Sequence, residues 1–154
     1  MNDLDSFDRK ILRELQANAD LSMQDLGERV GLSHTPCWRR VKRLQEAGII
    51  RGSVTLLDPD QLNLSVNVFV HVTLKGHQNN ALSRFEEAVV DVNEIVECYT
   101  VSGEKDFLLR VVVEDVAAYE RLLKHTLVHL PEVANLSSTF ALRQVKYSTE
   151  LPLA

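Results

Sequence analysis

Residues 22–47 read SMQDLGERVGLSHTPCWRRVKRLQEA, a stretch that divides into two short helices around a glycine. Ser22 stands where a helix N-cap belongs, with Asp25 three positions on in a variant of the capping box. Met23, Leu26 and Val30 fall on one face at helical spacing. Gly31 ends this helix, because a left-handed C′ residue costs glycine no Cβ clash. Ser33 caps the next helix, and Leu32 and Cys37 take the two positions of a hydrophobic staple. Pro36 lies in its first turn, where a missing N–H does little harm, and Gly48 ends it.

The second helix sorts its chemistry by face. At about 100° per residue, Thr35, Arg40, Lys42 and Arg43 fall within about 100° of Arg39. Cys37, Val41 and Leu44 fall on the opposite side. One face is therefore buried, and the other is a cationic stripe with a small polar residue near its N-terminus. A helix-turn-helix presents such a stripe to the major groove. Arginine can donate two bonds to guanine, and either cation can neutralise phosphate. A charge run alone usually marks a solvated face. Here it follows a capped helix and a glycine turn, and the combination points to double-stranded DNA. The expected DNA contacts are Ser33, His34, Thr35, Arg39, Arg40, Lys42 and Arg43. Arg39 and Arg43, with Thr35 beside them, are expected at the bases, and Arg40 and Lys42 at phosphates. Trp38 sits at the margin of the core face and is expected to pack there. Upstream, Asp5 and Asp8 mark a helix start, and Phe7, Ile11, Leu12 and Leu15 give that helix an apolar face.

With 154 residues, the chain has room for one domain or two small ones. Its net charge of −5 conceals an asymmetry. Residues 1–52 hold nine Lys/Arg against eight Asp/Glu, and residues 53–154 hold eight against fourteen. The acidic part would be repelled by DNA and should face away from it. No apolar run reaches the length of a membrane span, and no signal peptide is evident. Cys37 and Cys98 are isolated, which fits a reducing cytoplasm.

After residue 52 the period of the sequence changes. Ser53 to Leu57 reads as a short strand, and Asp58-Pro59 as the start of a helical turn. Residues 65–74, SVNVFVHVTL, alternate strictly, with Val66, Val68, Val70, Val72 and Leu74 on one face. A helix is predicted from about Asn80, carrying Leu82, Phe85 and Val89. Strands are predicted over Glu94–Ser102 and Phe107–Val113, joined by a turn at Gly103-Glu104-Lys105-Asp106. Asp115 caps a last helix, bearing Tyr119, Leu122, Leu123, Leu127 and Leu130 and stopped by Pro131, and Leu136–Lys146 closes the sheet. The order β-α-β-β-α-β is the ferredoxin-like arrangement. The fold class expected is α+β: an N-terminal three-helix (winged) helix-turn-helix over residues 1–52, a linker strand and turn over 53–64, and a ferredoxin-like domain over 65–154. Helices would cover one sheet face, and the open face, carrying Phe69, predicts a partner, most simply a second copy.

Three stretches carry a resemblance that spans essentially the whole chain. They are DSFDRKILRELQANADLSMQDLGERVGLSHTPCWRRVKRLQEAGII (5–50), VSGEKDFLLRVVV (101–113) and STFALRQVKYSTELPL (138–153). Together they resemble the Lrp/AsnC, or feast/famine, family of transcriptional regulators. TPCWRRVKRLQEAGII and KYSTELPL look most like the proteobacterial branch that includes cysteine-responsive regulators. The resemblance implies a homo-oligomer, dimer and octamer, that regulates amino-acid metabolism and is nucleoid-associated in the cytoplasm. It also implies a small amino-acid effector, cysteine or leucine, bound between dimers near the hairpin after the second strand. Carried over by motif, the effector residues are Ser102, Gly103 and Asp106, faced by Ser138, Thr139 and Phe140. Asp106 could accept from an ammonium and the turn N–H groups could hold a carboxylate. Gly and Asp are equally ordinary turn residues. Where the family often has Tyr after this Asp, Phe107 stands here.

Other chemistry finds little support. His125 and His129 have metal-ligand spacing on a predicted helix, but their face adds only Arg121, and no metal or other cofactor is expected. Cys37 lies on the core face, which favours a buried inert thiol over a redox switch. No nucleophile–base–orienter set or phosphate-cradling glycine loop suggests an enzyme. An effector-independent nucleoid-organising protein is the alternative to a sensor.

Overall fold

The computed structural model describes residues 4–76 and 79–153. The ends of the two expected domains, residues 1–3 and 154, lie outside them. The chain divides into two compact units, one up to Leu56 together with the residues from Lys146 on, the other Leu57–Val145.

The first unit contains α1 (Ser6–Ala17), α2 (Met23–Val30) and α3 (His34–Glu46). α1 starts at a complete capping box: the Asp8 N–H donates to Asp5 Oδ1 at 2.9 Å, and the Asp5 N–H to Asp8 Oδ2 at 3.2 Å. Ser22 caps α2 through the Asp25 N–H, and Gly31 ends it in the left-handed region at φ 79°. Ser33 is the N-cap residue of α3 but makes no side-chain cap bond. The three helices close on Ile11, Leu12, Leu26, Val30, Cys37, Val41 and Leu44, all buried, with Leu32 packed against them. The C-terminal tail joins this unit rather than the sheet. Gln16 donates to the Leu151 carbonyl at 3.3 Å and accepts from the Leu151 N–H at 2.7 Å. Arg13 donates to the Leu153 carbonyl at 3.2 Å.

The second unit is the ferredoxin-like fold. Its strands are β1 (Val66–Leu74), β2 (Ile95–Thr100), β3 (Phe107–Val113) and β4 (Val133–Phe140), and its helices α4 (Asn79–Val90) and α5 (Val116–His125). The sheet is antiparallel in the order β2-β3-β1-β4, so the two strongest apolar runs are its central pair. Val68, Val70, Val72 and Leu74 of β1, with Phe107, Leu109, Val111 and Val113 of β3, form the buried face, against Phe85, Val89, Tyr119 and Leu122. The opposite face carries Phe69, His71, Leu108, Arg110 and Tyr99, as strand alternation requires.

Three expectations change. Ser53–Leu57 forms no strand: it has no pairing partner among the described residues, and Val54, Leu56 and Leu57 are exposed. The last helix ends at His125, and Leu127–His129 is a separate 3₁₀ turn. The last strand runs Val133–Phe140, because Glu132 at φ 62° turns the chain directly into it, and its pairing with β1 ends at Phe140 opposite Val68.

Candidate DNA-reading helix and effector site

α3 presents the face that its sequence predicts. Cys37, Val41 and Leu44 are buried, whereas Ser33, His34, Thr35, Arg39, Lys42 and Arg43 are exposed and Arg40 is half-buried. Because Ser33 makes no cap bond, its hydroxyl is not committed to the helix end and stands beside His34 and Thr35.

The cations do not act as one stripe. Asp8 is fully buried at 0% exposure, and two arginines of α3 reach it. Arg40 Nη1 donates to Asp8 Oδ1 at 2.8 Å and to Asp5 Oδ2 at 2.6 Å. Arg43 Nη2 donates to Asp8 Oδ2. The Arg40 guanidinium also lies 5.4 Å from the centre of the Phe7 ring. The Asp5 carboxyl is held below its ordinary value, first by the Asp8 N–H and then by Arg40. The Arg40 guanidinium is pushed up by its bonds to Asp5 and Asp8. The expected phosphate contact Arg40 and the expected base contact Arg43 are thus both turned toward α1. Arg39 has no ion-pair or hydrogen-bond partner among the described residues. The ion pair that Lys42 makes among the described residues is an i,i+4 contact with Glu46 at 3.8 Å.

Trp38 differs from its expected place. It is 46% exposed rather than packed in the core, and Lys42 Nζ stands 5.2 Å from its ring centre. Sequence reasoning missed both Trp38 and Asp8. The signal for Asp8 was present: it stands on the first turn of α1, where a buried carboxylate needs a cation, and α3 is the cation-rich element.

The expected effector residues fall into two groups that do not meet within one protomer. Ser102, Gly103 and Asp106 lie at the β2–β3 turn. There the Asp106 N–H donates to the Val72 carbonyl at 2.9 Å, and Asp106 Oδ2 accepts from the Leu74 N–H at 2.8 Å. Ser138, Thr139 and Phe140 pair with Val70, Phe69 and Val68, across β1 and farther along it. Two to four residues of strand put them on the order of 7–13 Å away along β1, and two strand spacings add about 10 Å across it. Nor do the three share a face. Ser138 and Phe140 lie on the helix side, where the Tyr119 hydroxyl bonds to Ser138 Oγ and the two rings meet edge-on at 5.2 Å. Thr139 lies beside Phe69 on the open side. Phe107 is buried against Phe85, with ring centres 4.6 Å apart, so its missing hydroxyl bears on the core.

His125 and His129 sit in different elements, and no group of three metal-binding side chains occurs among the described residues. No helix among them is long and apolar enough to cross a membrane. Cys37 is buried and its thiol is pushed up by burial.

Two family models match the chain: a winged helix-turn-helix DNA-binding model over residues 4–51, and the Lrp/AsnC ligand binding domain over residues 67–151. The Bkd operon transcriptional regulator of Pseudomonas aeruginosa is 44% identical, covering 99% of this chain and 100% of that protein. The leucine-responsive regulatory protein of Escherichia coli K12 is also 44% identical, over 97% of this chain and 91% of its own. A transcriptional regulator of Neisseria meningitidis, solved as a complex with L-Met, superposes with a TM-score of 0.93 at 37% identity, covering 97% of both chains.

Proposed function

This chain belongs to the Lrp/AsnC family of DNA-binding transcriptional regulators, which are not enzymes, and we propose that it reads a specific operator through α3 and responds to a small amino acid. The observation that carries the DNA reading is the exposed surface of α3, with Thr35, Arg39 and Lys42 on one face and Ser33 and His34 at its N-terminal end, on a helix fixed by the Ser22 cap and the Gly31 turn. Arg39 takes a base-reading role, with Thr35 beside it. Lys42, Ser33 and His34 take phosphate or edge contacts, and Arg40 and Arg43 are secondary.

An amino-acid effector is supported by the matching ligand-binding domain and by the L-Met and leucine-responsive relatives. Cysteine and leucine remain the first ligands to try. Since the 102–106 turn and residues 138–140 are separated within one protomer, a site uniting them takes the turn from one copy and β4 from another. Effector binding would then report on assembly as a dimer or octamer. The residue divisions 1–52, 53–64 and 65–154 serve this scheme, with the tail from Lys146 added to the reading unit. The place of action proposed is the cytoplasmic nucleoid.

A calorimetric screen of the twenty amino acids, run with light scattering, tests the sensor. One amino acid should bind and change the scattering mass. Asp106→Asn should lose that binding, because it keeps an acceptor for the Leu74 N–H while removing the charge that an ammonium needs. No heat with any amino acid would favour the effector-independent nucleoid organiser instead.

A further inference from the structure

A buried carboxylate is costly unless it is paired and hydrogen-bonded. Asp8 meets that cost with the Asp5 N–H, Arg40 and Arg43. Two of the four cations on the reading helix are therefore committed to a residue of another helix. We infer that Asp8 is a specificity-setting positioning residue: it withholds Arg40 and Arg43 from DNA and leaves the reading to Thr35, Trp38, Arg39 and Lys42. The inference deepens the proposed DNA reading and rests on it.

The direction follows from the helix. Relative to Arg39, Arg43 and Arg40 lie about 40° and 100° to one side, and Lys42 and Trp38 about 60° and 100° to the other. Binding Arg40 and Arg43 at Asp8 trims the first side, so the centre of the available face moves toward Trp38. An exposed indole beside a cation is suited to thymine methyls and sugar edges, and it carries no phosphate charge of its own. Moving Arg40 to a phosphate would strip a buried anion of a partner, whereas Arg39 gives up nothing. Arg40 and Arg43, held at Asp8, are thus kept from adding sequence-blind phosphate contacts.

The test measures affinity of the full-length protein across a salt series, on a mixed-sequence duplex and on a duplex enriched by wild type from a random-sequence library. Asp8→Asn preserves size and an acceptor for the Asp5 N–H but weakens its hold on both arginines. The slope of log affinity against log salt should steepen by up to about 1.8 per reading helix, near 0.9 for each arginine engaged. Preference for the enriched duplex should fall at the same time. Arg40→Gln should leave the slope as in wild type, and Lys42→Gln, which removes a phosphate-contacting cation, should flatten it by about 0.9 per reading helix. A merely structural Asp8 would lower the melting temperature and leave slope and preference unchanged, and that result overturns the inference. If Asp8→Asn does not fold, the comparison of Arg40→Gln with Lys42→Gln decides, and equal flattening overturns it. Wild type that binds both duplexes equally refutes the sequence-specific reading itself and this inference with it.

Discussion

At the scale of single residues, α3 shows how far neighbours decide what a side chain does. Arg39 and Arg40 are adjacent and identical in chemistry, yet one stands in solvent and the other bridges Asp5 and Asp8. Cys37 and Trp38 are likewise adjacent, one fully buried and the other 46% exposed. Cys37 offers a direct check. Its thiol is enclosed by the three-helix core and pushed up by burial, which removes both access and thiolate. Cys98 is exposed on β2, although burial and Glu86 raise its thiol as well. A disulfide-exchange reagent at neutral pH should therefore label Cys98 slowly in the folded protein and reach Cys37 only on unfolding, so that denaturant doubles the thiol count. Labelling of Cys37 at the rate of a free thiol in native buffer would show that the core opens, and would restore the redox-switch reading.

At the scale of elements, the sequence marks its boundaries well wherever a cap or a period does the work. The Asp5, Ser22 and Asp115 caps, the Gly31 stop and the alternation of β1 are local chemistry, and each appears in the structure where the residues place it. What depends on a partner elsewhere was not legible. Val54, Leu56 and Leu57 have strand chemistry but no strand to pair with among the described residues. The guanidiniums of Arg40 and Arg43 took their direction from a carboxylate 32 and 35 positions away. The effector residues were drawn from a family motif, and one protomer leaves them apart. Gly27, inside α2, makes a related point. A Cβ there would stand 2.6 Å from the Leu32 carbonyl oxygen, and the Leu32 N–H bonds to the Gly27 carbonyl at 2.8 Å. Helix propensity favours Ala over Gly by up to about 1 kcal/mol, but this contact is with backbone at the turn and cannot rotate away. Gly27→Ala should therefore lose about 1–3 kcal/mol in urea unfolding, the range of an overpacked core. Because Leu32 leads into α3, DNA affinity should fall with it. Stability equal to wild type would mean that the turn can open without cost.

At the scale of the whole molecule, the question is what covers the open face of the sheet. That face carries Phe69 and Tyr99, the latter 54% exposed, with Arg110 Nε 3.1 Å from Glu97 Oε1 between them. Apolar surface around a paired charge is suited to a self-complementary contact, in which each copy meets the same residues of the other. A dimer formed there supplies two α3 helices, and the second binds DNA at the effective concentration set by the first. Phe69→Arg puts a like charge on both sides of such a contact and leaves the helix-covered core alone. Sedimentation should then show the protomer where wild type shows an oligomer. Affinity for a duplex with a single half-site should stay unchanged, while affinity for one with two half-sites should fall by at least about a hundredfold, the part that linkage contributes. Equal loss on both duplexes would instead mean that the substitution damaged the reading unit. Wild-type sedimentation with wild-type affinity would assign the interface to another surface, for which the exposed Val54, Leu56 and Leu57 stretch is the next to substitute.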